Sequence, residues 1–270
     1  MKFGLKLKQN KNAWISLAVS VAGFAFLWLV WVIAYYAVKN SFLVPSIGET
    51  FSALSKLLFT GGELTKSFYR SLGATFLRTL LAFLISLVCG VGLAALAVSF
   101  KGVRAFLAPV VSLLRTIPTL AIVLLLLLWT SPSFAPVLVA LLVLFPAVYA
   151  SALTSFSDAV GKYSEFARAY KIGRGKRIFQ LYLPVSLPAL LTEGGAILAM
   201  GLKITVSGEV LSFTFQSLGG MMQQAQIYLD TPRLFALTLV TILVGFLLEG
   251  GCALIRKLCI KWDSRGGSGT

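Results

Sequence analysis

Residues 116–157 form the longest stretch of this chain without a charged side chain, and the stretch is too long for a single membrane-spanning helix. A spanning helix needs about 20 apolar residues, roughly half of this length. The middle of the stretch reads WTSPSFAP, from Trp129 to Pro136, with two prolines and three hydroxyl side chains. Because proline and serine favour turns, we predict two spans here, at about 104–130 and 135–155, joined by a tight turn.

Other apolar stretches predict four more spans. Hydrophobic residues make up 58% of the 270 positions and charged residues 12%, whereas soluble domains average about 25% charged residues. Lipid is therefore the solvent that suits this surface. We predict an all-α polytopic membrane protein with six transmembrane helices, the remaining four at about 12–38, 79–100, 188–213 and 232–255.

The lysines and arginines are distributed unevenly over the predicted loops. Sixteen of the 24 would lie on one side of the membrane and five on the other, the five being Lys39, Lys56, Lys66, Arg70 and Arg233. Cytoplasmic loops carry an excess of cations, so both termini are predicted to lie in the cytosol (N-in, C-in). The predicted organisation is a cytoplasmic tail at 1–12, a transmembrane permease domain at 13–257 and a cytoplasmic tail at 258–270.

The chain lacks the residues that several kinds of catalysis and ligand binding require. The chain has no histidine, which removes imidazole metal sites and histidine acid–base catalysis. Its three cysteines lie in or beside apolar stretches without a CxxC spacing, which favours simple packing. The Gly-x-x-x-x-Gly-Lys-Ser/Thr sequence that holds nucleotide phosphates is absent. We therefore expect no enzyme activity, no metal site and no cofactor bound by this chain. The positive-inside distribution explains its basic charge without a nucleic acid partner.

A short amphipathic helix is predicted after the first span. Ser46 and Glu49 have the spacing of a capping box, in which two side chains satisfy backbone N–H groups at a helix N-terminus. The apolar face of this helix consists of Phe51, Leu54, Leu57 and Leu58. We expect the helix to lie on the membrane surface or on the rim of the protein.

One strongly basic, polar segment, residues 158–184, separates the fourth and fifth predicted spans. Ser157 or Asp158 can cap a helix start, and four residues then recur at the spacing of one helix face. That face consists of Tyr163, Phe166, Ala167 and Tyr170, with Glu165, Arg168 and Lys171 opposite. Aromatic anchors at helical spacing are typical of docking into a partner's groove. The composition alone fits equally well a solvated loop against anionic lipid headgroups.

The spacing within this segment resembles the signature of ABC-importer permeases, in which Glu-Ala-Ala is followed by a glycine and later by Leu-Pro. Glu165 matches the leading acid, Ala167 the second alanine, and Leu183 with Pro184 the closing pair. The resemblance implies a cytoplasmic coupling helix between helices 4 and 5 that docks into an ATPase subunit. The implied coupling residues are Tyr163, Glu165, Phe166, Ala167, Arg168, Tyr170, Gly173, Leu183 and Pro184.

The match has two departures. Phe166 stands in place of the first alanine. Lys171 stands where the signature has its glycine, and Gly173 follows two residues later. These departures concern the turn that follows the docking helix.

Other stretches resemble one branch of that family, the permeases for nitrate, taurine, aliphatic sulfonates and thiamine precursors. They are VPSIGETFSAL, LLRTIPTLA, the pair Phe145-Pro146, SGEVL and SLGG. The resemblance implies a homodimer in the bacterial inner membrane, two cytosolic ATPase subunits that bind ATP and Mg²⁺, and an outer substrate-binding protein. The expected function is ATP-driven import of a small anionic solute, by a multi-pass permease subunit embedded in membrane lipids.

Charged residues within the predicted spans mark a candidate pathway, because a charge in mid-membrane costs about 2.5–3.5 kcal/mol on insertion scales. Arg115 lies three residues before Pro118 in the third span, and Lys203 and Glu209 lie in the fifth. We predict that Arg115 and Lys203 line the pathway and favour an anion, and that Pro118 kinks its span. Pairs of either cation with Glu209 are an equally good interpretation. The charges near span ends, expected to snorkel or pair, are Arg78, Glu193 and Glu249.

The main alternative is an ion-gradient-driven secondary transporter or channel without an ATPase. It predicts transport that needs no partner chain, and it leaves the docking pattern of the basic segment unexplained. A membrane-embedded enzyme would need clustered acids, a histidine or a nucleophile–base pair within the spans. The sequence offers only isolated acids there.

Overall fold

The computed structural model of the chain is all-helical in the part that it describes, residues 19, 21–23, 25–40 and 42–259 without the side chains of Arg174 and Cys259. Its elements are α1 (Val21–Val38), α2 (Ile47–Phe59), α3 (Glu63–Ser99), α4 (Lys101–Thr116), α5 (Thr119–Trp129), α6 (Ala135–Ala169), α7 (Arg174–Lys176), a π-helix (Arg177–Tyr182), α8 (Leu183–Leu211), α9 (Leu218–Ile227) and α10 (Thr231–Cys259). The tail at 1–12 and most of the tail at 258–270 lie outside the described residues. So do the cations assigned to them, Lys2, Lys6, Lys8, Lys11, Lys261 and Arg265.

Five helical segments are long and apolar enough to cross a membrane. They are α1, α3, α6, α8 together with the π-helix, and α10. α4 and α5 pass the same test only as a pair, and they are bent by 96° at their junction. By length and composition, the described part of the chain therefore contains five segments that can span a membrane, or six if the bent pair crosses as one.

The junction of α4 and α5 differs from the predicted continuous span at 104–130. α4 ends at Thr116, Ile117 is extended with φ −68° and ψ 126°, and α5 begins after Pro118. A proline disfavours the helical conformation of the residue before it and has no N–H to donate. The kink predicted at Pro118 is therefore a complete break in the helix.

α3 begins at Glu63, far ahead of the predicted start of its span at 79, so Lys66 and Arg70 lie on a helix and not in a loop. The predicted start of the span was wrong because it was placed after the last charged residue of this stretch. The helix instead extends over the whole length of its buried face. That face begins with the buried side chains of Thr65, Phe68, Ser71 and Thr75.

α6 also extends beyond its predicted span at 135–155. It runs without interruption to Ala169, so the separate helix predicted to begin at Ser157 or Asp158 is wrong. The buried face of the span continues through Phe156 and Ala159 toward Ala167 at helical spacing. Burial keeps the helix intact where the sequence changes from apolar to charged.

α2 confirms the predicted amphipathic helix and its capping box. The Ser46 hydroxyl accepts a hydrogen bond from the N–H of Glu49 at 3.1 Å, and the Glu49 carboxylate accepts from the N–H of Ser46 at 2.9 Å. Leu57 is buried in one cluster with Phe68 of α3 and Leu237 of α10. This cluster holds α2 against the starts of both helices.

α3, α6 and α8 form the centre of the bundle. α3 and α6 pack closely at Gly90 of α3, where a Cβ atom would lie 2.7 Å from Val148 Cγ1 and 3.0 Å from the backbone nitrogen of Tyr149. Real Cβ atoms do not approach this closely. Glycine at this position therefore lets the two backbones pack directly.

We expect Gly90→Ala to lower the thermal stability of the purified protein, because the added methyl group would overlap α6. Overpacking of this kind costs about 1–3 kcal/mol. Gly92→Ala is the matched control, since nothing lies within 4 Å of a Cβ at that position. Thermal unfolding in detergent, followed by tryptophan fluorescence, measures the difference. Equal midpoints for the two variants would contradict the close approach of α3 and α6.

Candidate functional site

The basic segment opens with the end of α6, which is closed by a defined turn. Tyr170 is the C-cap, and the next residue, Lys171, has a left-handed φ of 50°. The N–H of Lys171 donates to the carbonyl of Arg168 at 3.0 Å, and the N–H of Ile172 donates to that of Ala167 at 3.0 Å. These two bonds form a Schellman motif, whose left-handed position usually holds glycine.

Lys171 thus occupies the position at which the permease signature has its glycine. The left-handed conformation costs a residue with a side chain roughly 1–2 kcal/mol. The turn nevertheless forms with lysine, and Gly173 does not take over the left-handed position. The departure from the signature changes the residue and leaves the shape of the turn intact.

The predicted docking face splits into a buried half and an exposed half. Ala167 is buried, and Tyr163 packs against the cluster that contains the buried Tyr182. Phe166 and Tyr170 are 49% and 70% exposed, with ring centroids 4.6 Å apart. The exposed charged neighbours are Glu165, Arg168 and Lys171. A pair of aromatic rings therefore protrudes from a helix whose other side is anchored in the bundle.

The second half of the basic segment leads into α8 through a π-helix. Arg177 Nε donates to the carbonyl of Ile172 at 2.6 Å, which ties the π-helix to the preceding turn. Tyr182 at the end of the π-helix is buried. Leu183 and Pro184 form the first turn of α8, where a proline is well tolerated. The segment is thus held at both ends, and π-helical turns are frequent at functional sites.

At the opposite end of the bundle a buried carboxylate joins three helices. Glu209, near the end of α8, has no exposed surface and pairs with Arg78 Nη1 of α3 at 2.9 Å. Thr75 Oγ1 donates to the two carboxylate oxygens at 2.8 and 3.0 Å, and the N–H of Gly219 donates at 3.2 Å. The N–H of Leu218 donates to Thr75 Oγ1 at 2.9 Å. The first turn of α9, which favours a negative charge, thus completes the network.

This network replaces the pairs predicted for Glu209. Its partner is Arg78, which the sequence placed near a span end, and not Arg115 or Lys203. Because the Glu209 side chain has no exposed surface, it lines no opening in this structure. A Cβ at Gly219 would lie 2.5 Å from both Glu209 Cβ and the carbonyl oxygen of Val206. The glycine in SLGG therefore lets α9 begin directly against the carboxylate.

Arg115 and Lys203 face different openings. Arg115 lines a cavity of about 820 Å³ between α4, α6, α8 and α10, and its Nη2 donates to the carbonyl of Pro146 at 3.1 Å. Lys203 lines a groove of about 140 Å³ between α8 and α10, and Glu249 borders both openings. Pro118 is exposed at the break between α4 and α5. The acids that line the larger cavity are Asp158, Glu193 and Glu249.

A stripe of small and polar side chains connects the two openings along α8. Every exposed α8 residue between 189 and 207 belongs to it, and the set is Ala189, Thr192, Glu193, Ala196, Lys203 and Ser207. Between residues 242 and 247, the exposed side chains of α10 are instead large and apolar, namely Ile242, Leu243, Phe246 and Leu247. Large apolar side chains suit lipid, whereas a charge there is costly. The α8 stripe therefore suits water or another protein surface.

Sequence reasoning identified Arg115 and Lys203 but missed the stripe and the Glu209 network. A signal for the stripe was present, since Thr192, Ala196, Lys203 and Ser207 recur at the spacing of one helix face. The Thr75–Glu209 contact joins residues 134 positions apart. No local pattern in the sequence could have found it.

We expect Glu209→Gln and Arg78→Met each to destabilise the protein strongly, because each leaves its partner unpaired in the bundle. Breaking one half of a buried pair typically costs about 3–5 kcal/mol. Lys66→Met is the matched control, since it breaks the exposed pair with Glu63, for which the expected cost is below about 1 kcal/mol. Chemical unfolding in detergent measures the three losses. Losses of the same size would contradict a structural role for the buried pair.

Residues 86–257 match the family described as the binding-protein-dependent transport system inner membrane component. Three relatives are similar over most of their length. The taurine transport system permease protein TauC of Escherichia coli (strain K12) is 25% identical over 86% of this chain and 84% of its own. SsuC of Bacillus subtilis (strain 168), named for aliphatic sulfonates transport, is 28% identical over 77% and 74%. The formylaminopyrimidine transport permease protein ThiX of Halalkalibacterium halodurans is 26% identical over 87% and 90%.

Solved structures agree with these relatives at the level of the fold. A chain of the MetNI methionine ABC transporter, in an inward-facing conformation, superposes with a TM-score of 0.57 at 18% identity, over 72% of this chain and 95% of that one. A chain of an amino acid ABC transporter superposes with a TM-score of 0.58 at 20% identity, over 72% and 92%. The family match covers more than half of the 270 residues and includes the basic segment, the α8 stripe and the Glu209 carboxylate. The chain therefore belongs to the family of binding-protein-dependent transport system inner membrane components and is a multi-pass membrane permease.

Proposed function

We propose that this permease is the membrane subunit of an ATP-driven importer and works as a homodimer with two ATP-binding subunits and an outer substrate-binding protein. The observation that carries this proposal is the exposed Phe166–Tyr170 pair on a helix that continues directly from a span. Aromatic side chains held on a rigid helix are the usual anchors of a helix-in-groove contact. ATP and Mg²⁺ belong to the partner chain in this proposal.

The proposed coupling route is mechanical. α6 comprises 35 residues without a break, so it is roughly 50 Å long at 1.5 Å per residue. A displacement of the exposed rings by the closing ATPase subunits would therefore move the whole of α6. Of the other proposed coupling residues, Tyr163, Ala167 and Leu183 pack into the bundle and anchor this lever. Glu165, Arg168, Gly173 and Pro184 are exposed. Such a two-state change is driven by differential binding in the two states.

The proposed topology has six spans with both termini in the cytosol, α4 and α5 together forming the third span. The basic end of the bundle then faces the cytosol, in agreement with the excess of cations there. α2, α9 and the Glu209 network then lie toward the outside. The proposed domain bounds remain a permease domain at 13–257 between two short cytoplasmic tails.

The proposed pathway follows the α8 stripe and includes Arg115, Lys203 and the break at Pro118. Arg115 is the cation of a cavity whose other charged side chains are acids. Its Nη2 is bonded to Pro146, and the rest of the guanidinium can meet an anionic group of the solute. We propose a small solute with an anionic group, in keeping with the taurine and sulfonate names of two relatives. Glu209 serves in this proposal as the outer anchor of α8.

A secondary transporter without an ATPase is the alternative that the sequence left open. The family match weighs against it, because the family is described as part of binding-protein-dependent systems. The two ideas differ in what uptake requires. The alternative would gain support if vesicles without ATP accumulated the solute in response to an ion gradient.

We expect the double variant Phe166→Ala/Tyr170→Ala to lose ATP-driven uptake and association with the ATP-binding subunit. Truncation of an aromatic anchor typically costs about 2 kcal/mol or more, about 30-fold in affinity per ring. Co-purification of the two subunits and uptake by proteoliposomes measure the loss.

Phe106→Ala is the matched control for the coupling test. Phe106 is 72% exposed on α4 and lies outside the basic segment, so its truncation should leave both measurements unchanged. Full uptake by the double variant would refute the coupling role of the rings.

We expect Arg115→Gln and Lys203→Gln each to lower uptake at least tenfold while ATPase association persists, because each removes a charge that faces the pathway. Arg115→Lys should recover part of the uptake, since it restores the charge. Lys257→Gln, at the exposed end of α10, is the control. The measurement is the uptake rate of each variant, normalised to the amount of reconstituted protein. Wild-type rates in both pathway variants would exclude Arg115 and Lys203 from the pathway.

A further inference from the structure

A charged pocket lies at the end of the bundle away from the basic segment, where α2 meets the start of α10. Its volume is about 460 Å³, which is within the range of about 300–1,000 Å³ typical of small-molecule sites. Four charged side chains line it, namely Glu49, Lys56, Asp230 and Arg233. The pocket shares no lining residue with the openings that Arg115 and Lys203 face. It is therefore a separate site.

The two acids of the pocket are engaged at the helix starts where they lie. The Glu49 carboxylate accepts a hydrogen bond from the N–H of Ser46 at 2.9 Å, and Asp230 Oδ1 accepts from the N–H of Arg233 at 3.2 Å. A helix N-terminus carries a partial positive charge that compensates a nearby carboxylate. Much of the negative charge of the pocket is therefore balanced within α2 and α10.

The two cations of the pocket are not engaged in this way. Neither Lys56 nor Arg233 belongs to an ion pair in the described part of the chain. Arg233 Nε is buried, and no hydrogen-bond acceptor for it lies among the described residues. Buried donors in native structures almost always bond to an acceptor. An acceptor supplied by a bound molecule would satisfy Arg233, and the Lys56 ammonium in the same pocket favours a molecule with a negative charge.

α2 separates this pocket from an apolar cleft on its other side. The cleft has a volume of about 510 Å³ and an entirely apolar surface, to which α2 contributes Phe51, Leu54 and Leu58. These three residues lie on the opposite face of the helix from Glu49 and Lys56. The apolar cleft suits lipid chains, whereas charges are costly in lipid. The charged side of α2 therefore faces water, and its pocket is accessible to dissolved anions.

We propose that this pocket binds a small organic anion, a carboxylate or sulfonate with an apolar body, at a site separate from the proposed pathway. Arg233 holds two oxygens of the anion through Nε and one Nη nitrogen, the paired geometry in which guanidinium groups bind such anions. Lys56 adds a second positive charge, and Leu64 and Pro232 offer apolar surface to the body of the anion. The bound anion links α2 to α10. The proposal goes beyond the importer proposed above and does not depend on it.

A carboxylate of a partner protein has the same chemistry and is the other source of an anionic group. A single aspartate or glutamate side chain would leave much of the pocket unfilled. A small organic anion can contact both the cations and the apolar surface, so it is the better occupant.

Isothermal titration calorimetry of the purified permease tests the proposal, with sulfate and ethanesulfonate as probes in an uncharged detergent at low ionic strength. The parent is the double variant Arg115→Gln/Lys203→Gln, so that the pathway cations do not contribute to binding. Arg233→Gln and Lys56→Gln should each weaken ethanesulfonate binding about tenfold or more, because each removes a charged hydrogen-bond donor. Arg70→Gln is the matched control, since Arg70 is an exposed cation of α3 outside the pocket.

Two further results are expected from the same titrations. Glu49→Gln should tighten binding, because glutamine removes a negative charge and keeps an acceptor for the N–H of Ser46. Ethanesulfonate should bind more tightly than sulfate despite its lower charge, because its ethyl group contacts the apolar surface. Thermal midpoints establish that each variant is folded. Lys56 is exposed, so Lys56→Gln tests the site even where Arg233→Gln is unstable.

Parental affinity in both Arg233→Gln and Lys56→Gln, or no binding of either probe by the parent, would overturn the proposal. Binding of sulfate without binding of ethanesulfonate would overturn the organic class of the ligand. If neither probe binds but Arg233→Gln weakens association with the outer substrate-binding protein, the pocket instead takes an acidic side chain of that protein. ATP-driven uptake by the wild-type chain, measured separately, decides on the importer.

Discussion

The buried carboxylate of Glu209 is the constraint that fixes one end of the bundle, where α3, α8 and α9 meet. It would be costly in the bundle without partners, and it finds them on α3, through Thr75 and Arg78, and at the start of α9. The three helices therefore keep their relative positions as one unit. The loop between α8 and α9 is attached to the same unit, because the N–H of Thr214 donates to the carbonyl of Glu209 and Arg78 Nη1 donates to the carbonyl of Gln216.

The rest of the structure combines a rigid element with a break. α6 runs unbroken from the turn before it to the exposed rings of Phe166 and Tyr170. α4 and α5 beside it are separated by Ile117 and Pro118, where the helical hydrogen bonds are interrupted and the axis turns by 96°. A rigid helix carries a displacement along its whole length, and a broken one can absorb it. Arg115 lies at the end of α4, next to this break and against the larger cavity.

Much of the architecture could be predicted because its causes lie in neighbouring residues. The capping box of Ser46 and Glu49, the turn at 129–136 and most of the spans follow from local hydrogen bonding and hydropathy. The predicted helix ends were wrong where burial outweighed composition. α3 and α6 continue through charged sequence because one face of each helix remains packed. Tertiary contacts of this kind override local preference.

By itself, the sequence determined the membrane environment, the helical class and the aromatic motif of the basic segment, because each depends on residues within a few turns of one another. Only the tertiary structure decided that Glu209 pairs with Arg78, that Lys203 and Arg115 face separate openings, and that Lys171 adopts the conformation of a glycine. These outcomes depend on which helix faces pack together, and the partners of the Glu209 carboxylate on α3 are more than 130 positions away. A pattern of consecutive residues cannot indicate contacts between residues that lie so far apart in the chain.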